Sequence, residues 1–250
     1  MKTEWDYSDL AKAYLKRPDY SDQAIDGMLK TFGIAQGDQA CDVGAGVAHL
    51  TLMLGKRGLN VTAIEPNDEM RKFGTDRCKP FANITYQENT AEHTGQADHV
   101  FDCVTFGSSF NVTDRQATLK ETNRILKSRG WFAAMWNHRD LDDPIQAEIE
   151  GIIHRAVPDY AYGARREDQT PVIEASGLFG PVQTIEGPVL HSQEIPDVVE
   201  AWRSHATLQR QAGTAFAGVV EKIAAFLKSL NCASIRVPYT TRIWLAQRLH

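Results

Sequence analysis

The chain predicts an α/β protein with a doubly wound, Rossmann-like sheet of seven strands, and three observations carry that prediction. One is a short apolar run, Gln39–Val43, that holds an acid at Asp42, passes through a Gly44-Ala45-Gly46 turn and leads into an amphipathic stretch. Another is a second apolar run, Asn60–Ile64, that ends on Glu65, so that strand, turn, helix and strand follow within one βαβ length. The third is the alternation of strand-like and helix-like segments to about residue 137, the pattern of a parallel sheet covered by helices.

Residues 1–35 read as an N-terminal helical cover. Tyr7, Leu10, Ala11 and Tyr14 recur at helical spacing, as do Ala24, Ile25, Met28 and Leu29, and Arg17-Pro18-Asp19-Tyr20 breaks the run with Ser21 placed as an N-cap. Residues 36–140 hold the sheet, with strands expected at 39–43, 60–65, 83–87, 100–106 and 131–137 and helices at 47–57, 67–78 and 114–127. Beyond residue 140 the pattern changes. Pro144, Pro158, Pro171, Pro181 and Pro188 punctuate a region with helical stretches at 145–156 and 195–211 and one returning strand near 182–190. Residues 141–212 are therefore expected to form mainly a helical substrate lid inserted after the fifth strand. Residues 213–250 are expected to complete the core sheet with a helix at 215–230 and a strand at 235–245.

The turn chemistry points to a ribose-bearing cofactor. Gly44 and Gly46 supply a tight strand-to-helix turn, and Glu65, about twenty residues on, is placed to accept ribose hydroxyls. A carboxylate at Asp42 would face the pyrophosphate that a dinucleotide fold lays on the helix N-terminus, and the third glycine of that fingerprint is replaced by His49. A nicotinamide-dependent oxidoreductase is thereby disfavoured. S-adenosylmethionine, which lacks phosphate and carries an ammonium and a sulfonium, suits an acid at this position.

Five segments, in order, resemble the class I S-adenosylmethionine-dependent methyltransferases. They are Asp42-Val43-Gly44-Ala45-Gly46, Ile64-Glu65-Pro66-Asn67-Asp68-Glu69-Met70, Asn89-Thr90-Ala91-Glu92, Phe101-Asp102-Cys103-Val104-Thr105-Phe106-Gly107-Ser108 and Ile125-Leu126-Lys127-Ser128-Arg129-Gly130-Trp131. Trp136-Asn137-His138-Arg139-Asp140 is similar to the small-molecule branch that includes the trans-aconitate methyltransferase and methyltransferase type 11 relatives. The resemblance implies a seven-stranded methyltransferase sheet with its last strand antiparallel. It also implies a cofactor site built from Asp42, Gly44, Ala45, Gly46, His49, Glu65, Pro66, Met70, Asn89, Thr90, Ala91, Phe106 and Gly107. Tyr14, Arg17 and Tyr20 would lie over the methionine end, or else form plain helix-face core.

For the acceptor side, Ser108 and Ser109 would border the reactive methyl, and Trp202 and Ser204 would line a pocket from the lid. Asn137 would either bond substrate or cap a loop. His138, at the carboxyl end of the fifth strand, and His205, in the lid, are the candidate proton acceptors. Asn111 stands where relatives carry a histidine, which puts in doubt any base mechanism borrowed from them. No metal site is expected: Arg139-Asp140-Leu141-Asp142-Asp143 reads as a solvated loop that caps the next helix.

Composition excludes other classes. Lys and Arg total 27 against 32 acids, a net charge of −5, which disfavours nucleic acid as partner. The N-terminal residues hold no apolar core of a secretory signal and no run reaches a membrane span, so a cytoplasmic protein is expected. The four cysteines lack metal or redox spacing. The sequence thus points to a monomeric or homodimeric enzyme that transfers methyl from S-adenosylmethionine, releasing S-adenosylhomocysteine. The acceptor would be a small molecule, at oxygen first and nitrogen next. A non-catalytic S-adenosylmethionine-binding regulatory domain is the remaining alternative.

Overall fold

The computed structural model describes residues 14–203 and 205–249; Tyr7, Leu10, Ala11 and Ser204 lie outside the described residues. The elements follow in chain order as α1 (Asp22–Phe32), β1 (Gln39–Val43), α2 (His49–Lys56), β2 (Asn60–Ile64), α3 (Asp68–Cys78), β3 (Ile84–Gln87), β4 (Phe101–Gly107), α4 (Arg115–Ile125) and β5 (Leu126–Arg139). Then come α5 (Pro144–Ala156), α6 (Thr170–Glu174), β6 (Gln183–Glu194), α7 (Ile195–Arg203), α8 (Ala206–Ala212), α9 (Phe216–Ser229) and β7 (Ser234–Gln247). The strands form one seven-stranded sheet in the order β3-β2-β1-β4-β5-β7-β6, with the last strand antiparallel. Strands β1 to β5 pair in parallel, and β1 lies between β2 and β4, so the strand order reverses direction at the β1/β4 junction.

The chain divides into two compact units. The first takes in the described residues to Asn137, with 167–187 and those from Thr241. Here the period-two rule of strands sorts side chains to two faces. Ala40, Cys103, Ala133 and Met135 join a cluster with Ile25, Met28 and Leu54 of the helices on one side. Cys41, Val43, Val104, Phe106, Phe132 and Trp136 join the other, with Leu119 of α4. Rings of Phe106, Phe110, Phe132 and Phe179 meet at centroid separations of 5.3–5.6 Å in that second cluster, the spacing of favourable edge-on and tilted pairs. By the same alternation Asp42 and Thr105 fall on the face of α2.

Caps fall where the sequence places them. Ser21 accepts from the Ala24 amide at the start of α1, Asn67 from Met70 at α3, Asp114 from Gln116 and Ala117 at α4 and Asp143 from Ile145 and Gln146 at α5. Asp143 thus gives the acidic loop its capping role. Strand β5 is longer than the expected 131–137 because it pairs with β4 from Leu126 onward, across a register shift between Phe101 and Cys103. Arg129 near that shift holds a left-handed φ of 62°.

The second unit comprises 138–166 and 188–240. Its core gathers Ile149, Ile153, Val198, Trp202, Ile223, Leu227, Ile235 and Val237. This corrects the expected boundaries in three places. Helix α9 buries Val219, Val220, Ile223 and Leu227 in this core, where it had been assigned with 213–250 to the core sheet. Residues 167–187, expected within the lid, belong to the first unit because Ile173 and Phe179 are buried in its aromatic cluster. The single helix expected at 195–211 is two, since the His205 side chain leaves the helical run to cap α8 by accepting from the Leu208 amide. No helix among the described residues is long and apolar enough to cross a membrane.

Candidate active site

The turn after β1 sits at the β1/β4 junction, where open α/β sheets leave a crevice outside the carboxyl ends of their strands. Gly44, Gly46 and Ala48 take left-handed φ values of 68°, 54° and 75°. At Gly44 a second constraint is steric: a Cβ there would come 2.4 Å from the Cβ of Ser109, which follows β4 and donates to the Val43 carbonyl at 2.5 Å. The amides of Gly44 and Ala45 donate to the Ile64 carbonyl at 2.8 and 3.0 Å. Tyr86 holds the Gly46 carbonyl at 3.2 Å and Arg77 holds that of Val47. Gly74 admits this arrangement, because a Cβ on it would meet the Tyr86 hydroxyl at 2.4 Å. None of Tyr86, Arg77 and Gly74 was singled out from sequence; their roles appear only once α3 and β3 fold back on the turn.

Glu65 is buried, and its carboxylate accepts two backbone amides, Gly46 through Oε2 and Asn67 through Oε1, each at 2.8 Å. Burial pushes its pKa up, and the two amides oppose that shift. A carboxylate has about four acceptor positions, so one remains on each oxygen. Two parallel acceptors side by side fit the vicinal hydroxyls of a ribose. Pro66 follows at half exposure, Asn67 caps α3, and Arg71 donates to the Glu65 carbonyl at 2.9 Å. Met70 is buried against Val47, with Tyr14 and Phe73 alongside. Of the adenine-edge residues, Asn89 and Thr90 are half-buried and Ala91 is in the core.

Asp42 is 1% exposed and accepts from Thr51 of α2 at 2.6 Å and Thr105 of β4 at 3.2 Å. Thr51 and Thr105 were not foreseen; only register and helix phase bring two hydroxyls to one carboxylate. Burial is the main cause that pushes the Asp42 pKa up to about 6, with the two hydroxyls opposing and Glu65 adding. A carboxyl whose folded value is raised favours folding at acid pH and loses that contribution as pH rises through the folded value. The protein should therefore lose up to about 3 kcal/mol of stability between pH 4 and 6 through this group, at 1.36 kcal/mol per unit. Thermal melts of wild type and Asp42→Asn across that window should show a loss in the wild type that the variant lacks. Parallel curves would show that Asp42 is not titrating there.

Residues 14–21 are tied to the same end of the sheet. His49 lies with Nδ1 2.6 Å from Asp19 Oδ1 and Nε2 2.8 Å from the Tyr14 carbonyl oxygen, and the His49 contact holds the Asp19 carboxyl below its ordinary value. The Arg17 guanidinium stacks 3.6 Å over the Tyr14 ring. Tyr20 is buried, its hydroxyl 2.9 Å from Ser108 Oγ, and burial raises its pKa. Gly107 lies beneath, where a Cβ would approach the Tyr20 hydroxyl to 3.0 Å. The Asn137 amide donates to the Asp19 carbonyl at 3.0 Å and accepts from Thr241 at 2.5 Å. These bonds join Asn137 to the 14–21 segment and to β7.

Phe106 requires a correction: its side chain is fully buried among Phe110 and Phe132, because residue parity on β4 turns it into the core. Asn111 accepts from the Trp136 indole at 3.0 Å, a bond that anchors the 110–112 turn. His205 accepts the Leu208 amide through Nδ1, so the neutral ring carries its proton on Nε2 and presents a donor, where a base needs an acceptor. Its ring stacks on Trp202, which is buried in the core of the second unit. His138, half-buried, belongs to the second unit, one residue past Asn137 on β5.

The model of the methyltransferase domain family matches residues 41–134, the stretch from β1 to β5. An uncharacterized methyltransferase of Mycobacterium tuberculosis is 31% identical over 232 residues, covering 90% of this chain and 88% of that protein. The ubiquinone/menaquinone biosynthesis C-methyltransferase of Haemophilus ducreyi is 31% identical over 121 residues, and there the chain spans 46% of the relative's length. Among solved structures, the phosphoethanolamine N-methyltransferase 2 of Haemonchus contortus, in complex with phosphomonomethylethanolamine and S-adenosylhomocysteine, shares the fold. It has a TM-score of 0.55 at 16% identity and covers 98% of this chain and 58% of that one. These similarities set the nicotinamide reading aside, and the chain belongs to the class I S-adenosylmethionine-dependent methyltransferases.

Proposed function

We propose that this methyltransferase acts on a small molecule and transfers the methyl group to oxygen, a hydroxyl or a carboxylate, with nitrogen the next candidate. Bound S-adenosylmethionine supplies an electrophilic methyl on sulfur. The chain's own residues bind and orient the cofactor through Glu65 and the Gly44–Ala48 turn, and orientation by itself can contribute about 7–11 kcal/mol. One observation carries the choice of acceptor. Asn111, which brings no titratable group, bonds the Trp136 indole, and His205, one of the two candidate proton acceptors, takes the Leu208 amide on Nδ1. An acceptor that needs no dedicated base, such as a carboxylate, suits that arrangement; for a hydroxyl acceptor, His138 at the end of β5 is read as the proton acceptor.

The second unit is read as the acceptor-binding part, and residues 14–20 as a cover for the methionine end. The acidic net charge of −5 supports a metabolite over a nucleic acid. Free thiols at Cys41, Cys78, Cys103 and Cys232 suit the reducing cytoplasm, with the protein acting as a monomer or homodimer. The chemistry of the product tests the reading. After reaction of a metabolite extract with methyl-labelled cofactor, alkali should release label as methanol if a carboxylate was methylated, while an ether would keep it and mass spectrometry would place it on oxygen. Label found on nitrogen or carbon would overturn the oxygen assignment.

A further inference from the structure

We infer that Arg139 is the anchor for an oxyanion group, a carboxylate or a phosphate, on the methyl acceptor, a step that rests on the small-molecule reading above. Arg139 ends β5, and its guanidinium lies 4.5 Å over the Trp202 ring and 6.0 Å from the Tyr239 ring centre. Its Nε donates to the Tyr239 hydroxyl at 3.3 Å, and among the described residues neither Nη has a hydrogen-bond acceptor or a carboxylate within ion-pair distance.

Three other arginines in the first unit behave differently. Arg57 spends its guanidinium on Asp22, Asp26 and the Met53 carbonyl. Arg71 is engaged by Glu65, Asp68 and Glu88, and Arg124 by Glu121, Asp98 and the Gln96 carbonyl. In these three the forked edge is filled; that of Arg139 is half-buried with its two Nη groups unfilled among the described residues. The side is flat, stacked and fixed, which is the state in which a guanidinium loses least on taking a bidentate oxyanion.

The surroundings are rich in donors and poor in acceptors. The carboxylate that acts on Arg139 among the described residues, that of Glu150, already accepts the Tyr162 hydroxyl and lies 3.8 Å from His154 Nε2. Neighbouring Asp140 accepts the Asp142 amide. A second guanidinium, Arg166, donates to the Arg139 carbonyl at 3.0 Å and stacks 4.3 Å over Tyr162. The Trp202 indole N–H is buried without an acceptor among the described residues. Burial alone would weaken the charge on Arg139, but the Tyr239 and Tyr162 hydroxyls and Glu150 more than offset it, so the group stays a cation. Among the described residues, two guanidiniums and a buried indole donor against the occupied carboxylate of Glu150 make this part of the second unit a place for negative charge.

The test uses the whole protein with S-adenosylhomocysteine present and three probes of one shape: benzoate, phenyl phosphate and neutral benzamide. Ligand-observed NMR titration should show at least one anion binding, and benzamide binding about tenfold or more weakly, the expected share of one charged hydrogen-bonded pair. Arg139→Gln should lower the anion affinity by about tenfold or more while calorimetric affinity for S-adenosylhomocysteine is retained. If benzoate alone binds, the acceptor class is carboxylate; if phenyl phosphate alone binds, it is phosphate. Should Arg139→Gln fail to fold, Arg139→Lys carries the test, because it keeps the charge but loses the planar fork, and several-fold weaker anion binding is expected. Benzamide binding as well as the anions, no binding by either anion, or wild-type anion affinity in the folded variants would overturn the assignment. Failure of S-adenosylhomocysteine to bind the wild type would instead count against the methyltransferase reading.

Discussion

Glu65→Ala is expected to weaken S-adenosylhomocysteine binding about ten- to a hundredfold, because each hydrogen bond to a charged group is worth roughly 1.5–3 kcal/mol. The effect has two sources. The diol loses its acceptors, and the Gly46 and Asn67 amides, each 2.8 Å from the carboxylate, lose theirs, so the turn that meets the cofactor loosens as well. Glutamine is not a safe replacement here. Its NH2 would face one of those two N–H groups, donor against donor, so Glu65→Gln should bind little better than Glu65→Ala. Calorimetry on both variants, with a melt to confirm folding, checks this. Wild-type affinity in a folded Glu65→Ala protein would remove Glu65 from the site.

Gly44→Ala should strongly destabilise the protein. A left-handed φ costs a residue with a Cβ about 1–2 kcal/mol, and overpacking adds about 1–3 kcal/mol where a methyl must fit 2.4 Å from the Ser109 Cβ. A loss of about 2–5 kcal/mol is a large part of a domain's stability. Ser109→Gly in the same chain removes the clash but leaves the φ cost, so the double variant should recover only the packing share. Urea denaturation of the three proteins measures this directly. A Gly44→Ala variant as stable as wild type would mean that β4 does not press on the turn as described.

The local pattern made most of this fold legible. The strand at Gln39–Val43 and the helix starts at Ser21 and Asn67 follow from alternation and capping residues that lie next to one another in the chain. What the sequence hid depends on distant pairing. Thr51 and Thr105 meet Asp42 only because α2 and β4 pack on β1 in one register, and no spacing rule announces that. Parity would have placed Phe106 in the core, since it shares a face with Val104, but the motif resemblance drew it into the site. The boundaries of the second unit were obscured for another reason. Amphipathic helices such as α9 display a face without saying which core will cover it, and Ile173 and Phe179 are apolar in either setting. His205 illustrates the same limit on chemistry, because an imidazole in sequence shows neither its tautomer nor the amide it caps.

The central claim is that this chain moves a methyl group from S-adenosylmethionine to a small molecule. It is tested most directly by incubating the protein with methyl-labelled cofactor and a deproteinised metabolite extract, then dividing the label by ultrafiltration. Label should appear in a new species in the filtrate, together with S-adenosylhomocysteine, and should fall with Glu65→Ala at cofactor concentrations near the wild-type Kd. Label confined to protein or nucleic acid when a whole lysate replaces the extract, with none in the filtrate, would contradict the account.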